Sequence, residues 1–411
     1  MLTILPIRRP LGMFLLMLAL GFMAGPAWSQ SRTLPEAPGT WKPWKTFTAV
    51  NSVRTERGAT PAEVKAFEGT LLELNAILRR APGVASPTGY SVETWGYLSG
   101  LGLSAPGKPA GKSLPLGGAL QFGAFPIFEY ERKGKMVRED TGETALQAFM
   151  VNDPWTGSSR KPEEWGAVQT DAFIQPRYNG ELAGIARYGD MLIFAKTPEL
   201  LWVPVSFRVA IDLVAAQRRD DAASFRESLD KFTARLAVVR DPTRQAQRMK
   251  DARAAAVGMP KPEEFVASIA ESIRIEEASV LEELGPAGSS TKGLVASQKV
   301  IDDIAAWLAE LPPSAREAPA CFATEAKSLR ARFRPGLAAD CAAIVRPNYQ
   351  YFNPSLPRSA PQVLSITPIQ RCFDTANKYN AEANSPSPAG CSANRKLVES
   401  MDKDAIRAWL R

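Results

Sequence analysis

The chain has 411 residues, 45% of them hydrophobic and 23% charged, with a formal net charge of +7. That balance is ordinary for a globular protein and excludes a chain that is disordered throughout. Histidine is absent, which removes the commonest acid–base side chain, the commonest metal ligand and the base of most nucleophile pairs; no metal site and no cofactor is expected.

Arg8 and Arg9 precede an eleven-residue run, Met13 to Met23, in which only Gly21 is not apolar, and Ala27-Trp28-Ser29 follows with small residues suited to cleavage. Positive, apolar and small in that order read as a secretory signal peptide over residues 1–29. The run is well short of the ~20 residues that span a bilayer. No later segment is apolar enough to span one, so the cleaved chain is expected in a periplasm or outside the cell, with no membrane span.

Residues 30–59 read as an extended lead-in with Trp41 and Trp44. An α+β domain, rich in antiparallel strands, is expected over 60–206. Thr60-Pro61-Ala62-Glu63 has the form of a helix start, with Thr as N-cap, Pro at the first position and Glu closing a capping box. Val64, Phe67, Leu71, Leu74 and Leu78 then repeat at the spacing of one buried helix face, and Pro82-Gly83 ends it. Strands follow over 119–131, 136–138, 146–151, 173–177, 182–188 and 191–195. Turns are expected at 132–135, at Asn179-Gly180 and at Gly189-Asp190.

Residues 207–315 read as a helical region of four helices with short loops. Phe225, Leu229, Phe232, Leu236 and Val239 mark one, Asp241-Pro242 caps the next and Gly258 ends it. Pro262 opens a third that runs to Leu284, a loop spans 285–293, and Ile301, Ile304, Leu308 and Leu311 mark the fourth. The last region, 316–411, is expected to be small, mixed and held by disulfides. A helix is expected over 319–334, with Arg330, Arg332 and Arg334 in its last turn where the helix dipole favours cations. An aromatic, proline-rich loop follows over 347–361, then a strand over 362–369 and a closing helix over 396–410.

All four cysteines lie in this last region. In an oxidising compartment an even count reads as disulfides, and the short local loops favour Cys321–Cys341 and Cys372–Cys391. The region has 14 basic and 8 acidic residues, whereas residues 30–315 are nearly neutral. It offers an anionic surface a place to bind. Nucleic acid is not an expected partner of an exported chain without a recognition motif.

Two motifs look catalytic and are better explained otherwise. Gly107 to Ser113 resembles a phosphate loop but is one residue short of its spacing and follows no strand. Ser289-Ser290-Thr291-Lys292 matches the Ser-x-x-Lys nucleophile of penicillin-recognising enzymes, yet no Lys-Thr-Gly accompanies it, and it reads as a polar loop before a helix. The remaining acid–base groups are carboxylates: Glu129, Glu131, Asp140, Glu143, Asp153, Asp171 and Asp190. Trp95, Tyr97, Trp155 and Trp165 lie in the same region. Carboxylates beside aromatic platforms suit carbohydrate binding or glycosidic cleavage. The candidate ligand-binding residues are Trp95, Tyr97, Glu129, Asp153 and Trp155.

Leu192 to Val209, with Trp202-Val203-Pro204-Val205-Ser206 at its centre, and Asn348 to Gln362 resemble segments of an uncharacterised family of exported bacterial proteins. The resemblance implies export and brings no activity or site. The expected function is non-enzymatic binding of a small ligand or an envelope partner. The alternative is a carboxylate-dependent hydrolase acting on a glycan or cell-wall component.

Overall fold

In a computed structural model the described residues are 32–100, 113–140, 145–155, 160–367 and 388–411. Residues 1–29, read above as a signal, most of the phosphate-loop look-alike, Glu143, Cys372 and the side chain of Cys391 lie outside them.

The fold is α+β. Three helices lie between β2 (Phe47–Thr48) and β3 (Tyr90–Leu98): α1 (Asn51–Arg57), α2 (Pro61–Arg79) and α3 (Pro82–Ala85). The strands before the helical region are β1 (Arg32–Thr33), β2 (Phe47–Thr48), β3 (Tyr90–Leu98), β4 (Gly118–Pro126), β5 (Phe128–Arg132), β6 (Lys135–Glu139), β7 (Ala145–Val151), β8 (Phe173–Ile174), β9 (Tyr178–Leu182), β10 (Ile185–Tyr188), β11 (Met191–Phe194) and β12 (Trp202–Pro204). Then come α4 (Phe207–Arg240), α5 (Pro242–Ala255), α6 (Pro262–Leu284), α7 (Ser289–Glu310) and α8 (Pro313–Glu317). The chain closes with β13 (Ala320–Phe322), α9 (Leu329–Arg332), β14 (Phe333–Pro335), β15 (Ala342–Pro347), β16 (Leu364–Thr367), α10 (Pro388–Ser400) and α11 (Lys403–Trp409).

An eight-stranded sheet runs β2-β3-β4-β7-β16-β11-β10-β9 and is antiparallel except for β2 beside β3. Its fifth strand comes from the C-terminal region. β16 pairs with β7 on one side and β11 on the other. A second sheet gathers β12, β15, β13 and β14, with β8 also on β15. β1, β5 and β6 form a small third sheet.

The main core lies on one face of the large sheet. The capping box on α2 forms as the sequence predicts, Thr60 accepting from the Glu63 N–H and Glu63 from the Thr60 N–H. Phe67, Leu71, Leu74 and Leu78 are fully buried against Val92, Leu120, Phe122 and Phe149. Leu397 and Val398 of α10 join the same core. Each such side chain contributes ~1.5–3 kcal/mol by leaving water.

Several local expectations are corrected. The strand expected over 119–131 is two strands in two sheets, because Pro126 has no N–H to continue the ladder. Asn179-Gly180 is not the hairpin turn: it forms a bulge within β9, where the register shifts opposite Arg187. The turn falls at Ala183-Gly184, both with positive φ. Ser289 to Gly293 already belong to α7, where Gly293 sits so close to the Phe225 ring that a Cβ would meet it at 2.4 Å. The closing helix is two, restarted by Asp402 as N-cap of α11.

The largest correction is at 319–334. Only α9 is helical there. Ala320, Cys321 and Phe322 are all buried, and they form β13 paired with both β14 and β15. Burial on both faces suits a strand better than a helix. Arg330, Arg332 and Arg334 therefore do not answer a helix dipole. They pair with Glu310, with Glu163 and Glu164, and with Asp340. Cys321 and Cys341 are bridged, with Cα atoms 5.7 Å apart. Closing that loop stabilises by ~3 kcal/mol.

The helical region projects as an arm. α4 has 34 residues, about 51 Å at 1.5 Å each, and α7 runs back along it to bring Trp307 onto Phe207. Glu276 and Glu277, midway along α6, pair with Arg235 and Arg240 near the end of α4. The first half of α6 thus continues outward with α5 beside it. Among the described residues no helix is long and apolar enough to cross a membrane.

Candidate functional site

Two neighbourhoods carry concentrated chemistry. One is a buried junction and the other an open cleft.

The junction begins at Arg57, the last residue of α1 and only 4% exposed. Its guanidinium donates to the carbonyls of Ser99 (2.9 Å), Gly100 (2.8 Å) and Pro115 (3.4 Å). Burial lowers the Arg57 pKa, and the nearby Asp153 carboxylate opposes that shift. Ser99 Oγ donates to Asp153 Oδ2 at 3.1 Å. Arg358, from the proline-rich loop, donates to the carbonyls of Arg57, Gly58 and Leu114 and to Glu63. Burial pushes the Glu63 carboxyl up, but the Thr60 hydrogen bonds and Arg358 outweigh it and hold its pKa below the ordinary value. Asn152, with φ +53°, donates to the carbonyls of Leu116 and Ala360 and accepts from the N–H groups of Gln362 and Val363. These side chains tie α1, the segments before β4 and after β7, and the loop at 347–361 into one piece.

Aromatic rings border the junction. Trp155 donates to the Leu201 carbonyl and packs edge-on against Tyr349 and Phe352, centroids 5.4 and 5.7 Å away. Burial, reinforced by the charges of Asp171 and Asp153, pushes the Tyr349 hydroxyl up to about 12. It is a neutral hydroxyl at any physiological pH.

The structure thus brings Asp153 and Trp155 together. Asp153 is 9% exposed and engaged within the junction. Trp95 and Tyr97 lie elsewhere, at alternate positions of β3 on the sheet face turned away from α2, with Trp95 against Gly123. Glu129 lies on the small sheet and pairs with Arg32. Of the other carboxylates, Asp140 pairs with Lys42 and Asp190 with Arg187. Trp165 is fully buried and donates to the Ala210 carbonyl.

The cleft holds about 920 Å³. One wall is residues 175–178 with Tyr188, where the chain passes from β8 of the second sheet to β9 at the edge of the large sheet. The other is residues 322–326 and 339–343 with Leu337. Most of that second wall lies within the loop closed by Cys321–Cys341, and Cys341 itself faces the cleft. Tyr178 is 54% exposed and its ring lies tilted against Tyr188, centroids 5.2 Å apart, and Tyr188 in turn lies tilted on Trp202 at 4.8 Å. The bulge at Asn179-Gly180 is what sets Tyr178 opposite Tyr188. Arg177, Thr324, Glu325 and Asp340 supply polar groups. The hydrogen bond from Arg334 holds the Asp340 carboxyl below its ordinary pKa, so it presents a fixed negative charge.

Tyr178, Tyr188 and Glu325 were not among the sequence candidates. Two tyrosines ten residues apart flanking a glycine-bearing hairpin are the signal that was there to find. No protein-family model, curated protein or solved structure matches the chain.

Proposed function

We propose that this is an exported binding protein, without catalytic activity of its own, whose ligand seats in the cleft between the β8–β9 corner and the disulfide-closed loop. The observation that carries this reading is the cleft itself. Its volume falls within the ~300–1,000 Å³ of small-ligand sites, and such sites combine apolar and aromatic walls with a few polar groups. Tyr178 and Tyr188 offer ring faces, and Thr324, Glu325 and Arg177 offer donors and acceptors. That combination suits a glycan or cell-wall fragment, whose sugar rings have apolar faces and hydroxyl edges.

Export supports the same reading. The segment 1–29 has the form of a secretory signal, and the Cys321–Cys341 bridge belongs to an oxidising compartment such as a periplasm or the medium. The hydrolase alternative needs a carboxylic acid ready to give up a proton near neutrality. Asp340, held ionised beside Arg334, is unsuited to that part, and the exposed tyrosine face favours binding as the reading of this cleft.

The test is a thermal-shift screen of the purified protein against soluble glycans and cell-wall fragments, with the Tyr178→Ala variant alongside. A ligand that binds the folded state raises Tm. Loss of the exposed tyrosine platform is expected to weaken binding about tenfold, equivalent to ~1.4 kcal/mol, while the unliganded Tm stays put. A ligand held equally well by Tyr178→Ala would place the site elsewhere.

A further inference from the structure

We propose that the ligand of the cleft carries a carboxylate and an ammonium on one apolar body, and is therefore a peptide-bearing cell-wall fragment and not a neutral glycan. This rests on the cleft reading above and names the class of ligand within it. The charged residues that line the cleft are Arg177, Glu325 and Asp340. Arg177 belongs to the wall at 175–178, and the two acids belong to the wall across from it. Charged neighbours of the same walls are already answered: Arg187 pairs with Asp190, and Asp340 pairs with Arg334 at 2.8 Å. Arg177 and Glu325 are different. Among the described residues neither side chain has an ion pair or a hydrogen bond, with the other or with any neighbour.

A cation and an anion left open on facing walls keep their bonding capacity for what enters between them. A guanidinium takes a carboxylate through two parallel N–H donors, and a carboxylate accepts from an ammonium. Sugar hydroxyls can hydrogen-bond to both side chains but bring no charge to balance either. The space between the charges is apolar on both sides. Tyr178 is 54% exposed on one wall and Leu337 is 60% exposed on the other. A short peptide has small apolar side chains to lay between them, and an ammonium gains further from the face of a tyrosine ring. Thr324, next to Glu325 on the same wall, adds a hydroxyl that serves a peptide N–H or carbonyl. A cell-wall fragment that keeps its peptide stem has both charges, whereas a run of N-acetylated sugars has neither.

The experiment is isothermal titration of the purified protein with four probes: an N-acetylglucosamine tetramer, a disaccharide–tetrapeptide released from a bacterial cell wall, the free tetrapeptide, and that peptide with its carboxylates amidated. Both peptide-bearing probes are expected to bind at least about tenfold more tightly than the sugar tetramer. Arg177→Gln is expected to weaken the free peptide about five- to tenfold and to leave the already weakened amidated peptide unchanged, the coupling that marks a direct contact. Glu325→Gln is expected to weaken the free peptide by a similar factor. Both positions are exposed, and an unchanged unliganded Tm confirms that each variant folds. A sugar tetramer held as tightly as the peptides overturns the proposal, as does the absence of binding by either peptide probe. If Tyr178→Ala still weakens the sugar, the cleft stands and only the class of ligand falls. A peptide held equally well by Arg177→Gln, Glu325→Gln and Tyr178→Ala removes the site from the cleft, and both readings fall together.

Discussion

The junction and the arm use arginine in opposite ways. At the junction Arg57 and Arg358 bind mostly backbone carbonyls, contributed by segments far apart in the chain and shielded from water. Along the arm Arg235, Arg240 and Arg248 bind glutamates, side chain to side chain, in reach of solvent. A carbonyl cannot swing out to find water when its donor is removed, whereas an exposed glutamate can. The same residue type should therefore hold the body together in one place and merely decorate a surface in the other.

The largest expected effect breaks the junction. Arg57→Met keeps the length of the side chain and removes its donors, leaving the carbonyls of Ser99, Gly100 and Pro115 and the Asp153 carboxylate without their cation. Loss of one partner from such a buried set costs ~3–5 kcal/mol, measured by urea unfolding. A loss below ~1 kcal/mol would put Arg57 in the same class as the arm's arginines and end the distinction.

A smaller effect comes from pH, through Tyr349 beside the junction and Tyr90 in the main core. Tyr349 has its pKa raised to about 12 from an ordinary 10.0, and burial raises Tyr90 to about 12 as well. Between those values the unfolded chain loses a proton that the folded chain keeps. Stability is therefore complete below pH ~10 and falls as pH rises toward 12. Tyrosinate absorbance should show both residues titrating late and together with loss of structure. Early, reversible titration of all tyrosines would mean the rings beside the junction are open to water.

This contrast also explains what the sequence makes legible. The arm's caps and breaks lie within a few residues of what they govern. Asp241 caps α5 by accepting from the N–H groups of Thr243 and Arg244, and Gly258 takes the positive φ that ends it. The junction has no such local signature. Arg57 and Ser99 are 42 residues apart, and Arg358 and Arg57 are 301 apart. β16 is four residues long, and nothing within Leu364–Thr367 marks it for insertion between β7 and β11. At the cleft the cysteine spacing was readable, and the bridge Cys321–Cys341 is present. The start of the wall it closes reads as helix in the sequence, because the alternation of β13 is hidden when both faces are buried. Asn179-Gly180 misleads for a related reason: tolerance of positive φ serves a bulge as well as a turn. Tyr178 and Tyr188 meet only because of that bulge.

The smallest expected effect sharpens the comparison from the arm's side. Glu276 accepts from both Arg235 and Arg248, and those hydrogen bonds hold its pKa below the ordinary carboxylate value. Two cations on one carboxylate make it the best-connected ion pair of the arm. All three side chains nevertheless reach solvent, at 28% to 57% exposure. Screening by water limits what such a set contributes, and Glu276→Gln should cost less than ~1 kcal/mol, with the difference vanishing in high salt. The glutamine retains an acceptor for one arginine, so only the charge is removed. Urea unfolding of wild type and variant at low and high ionic strength reads this directly. A loss comparable to that of Arg57→Met, and indifferent to salt, would show that connectivity and not burial decides what an arginine contributes in this protein.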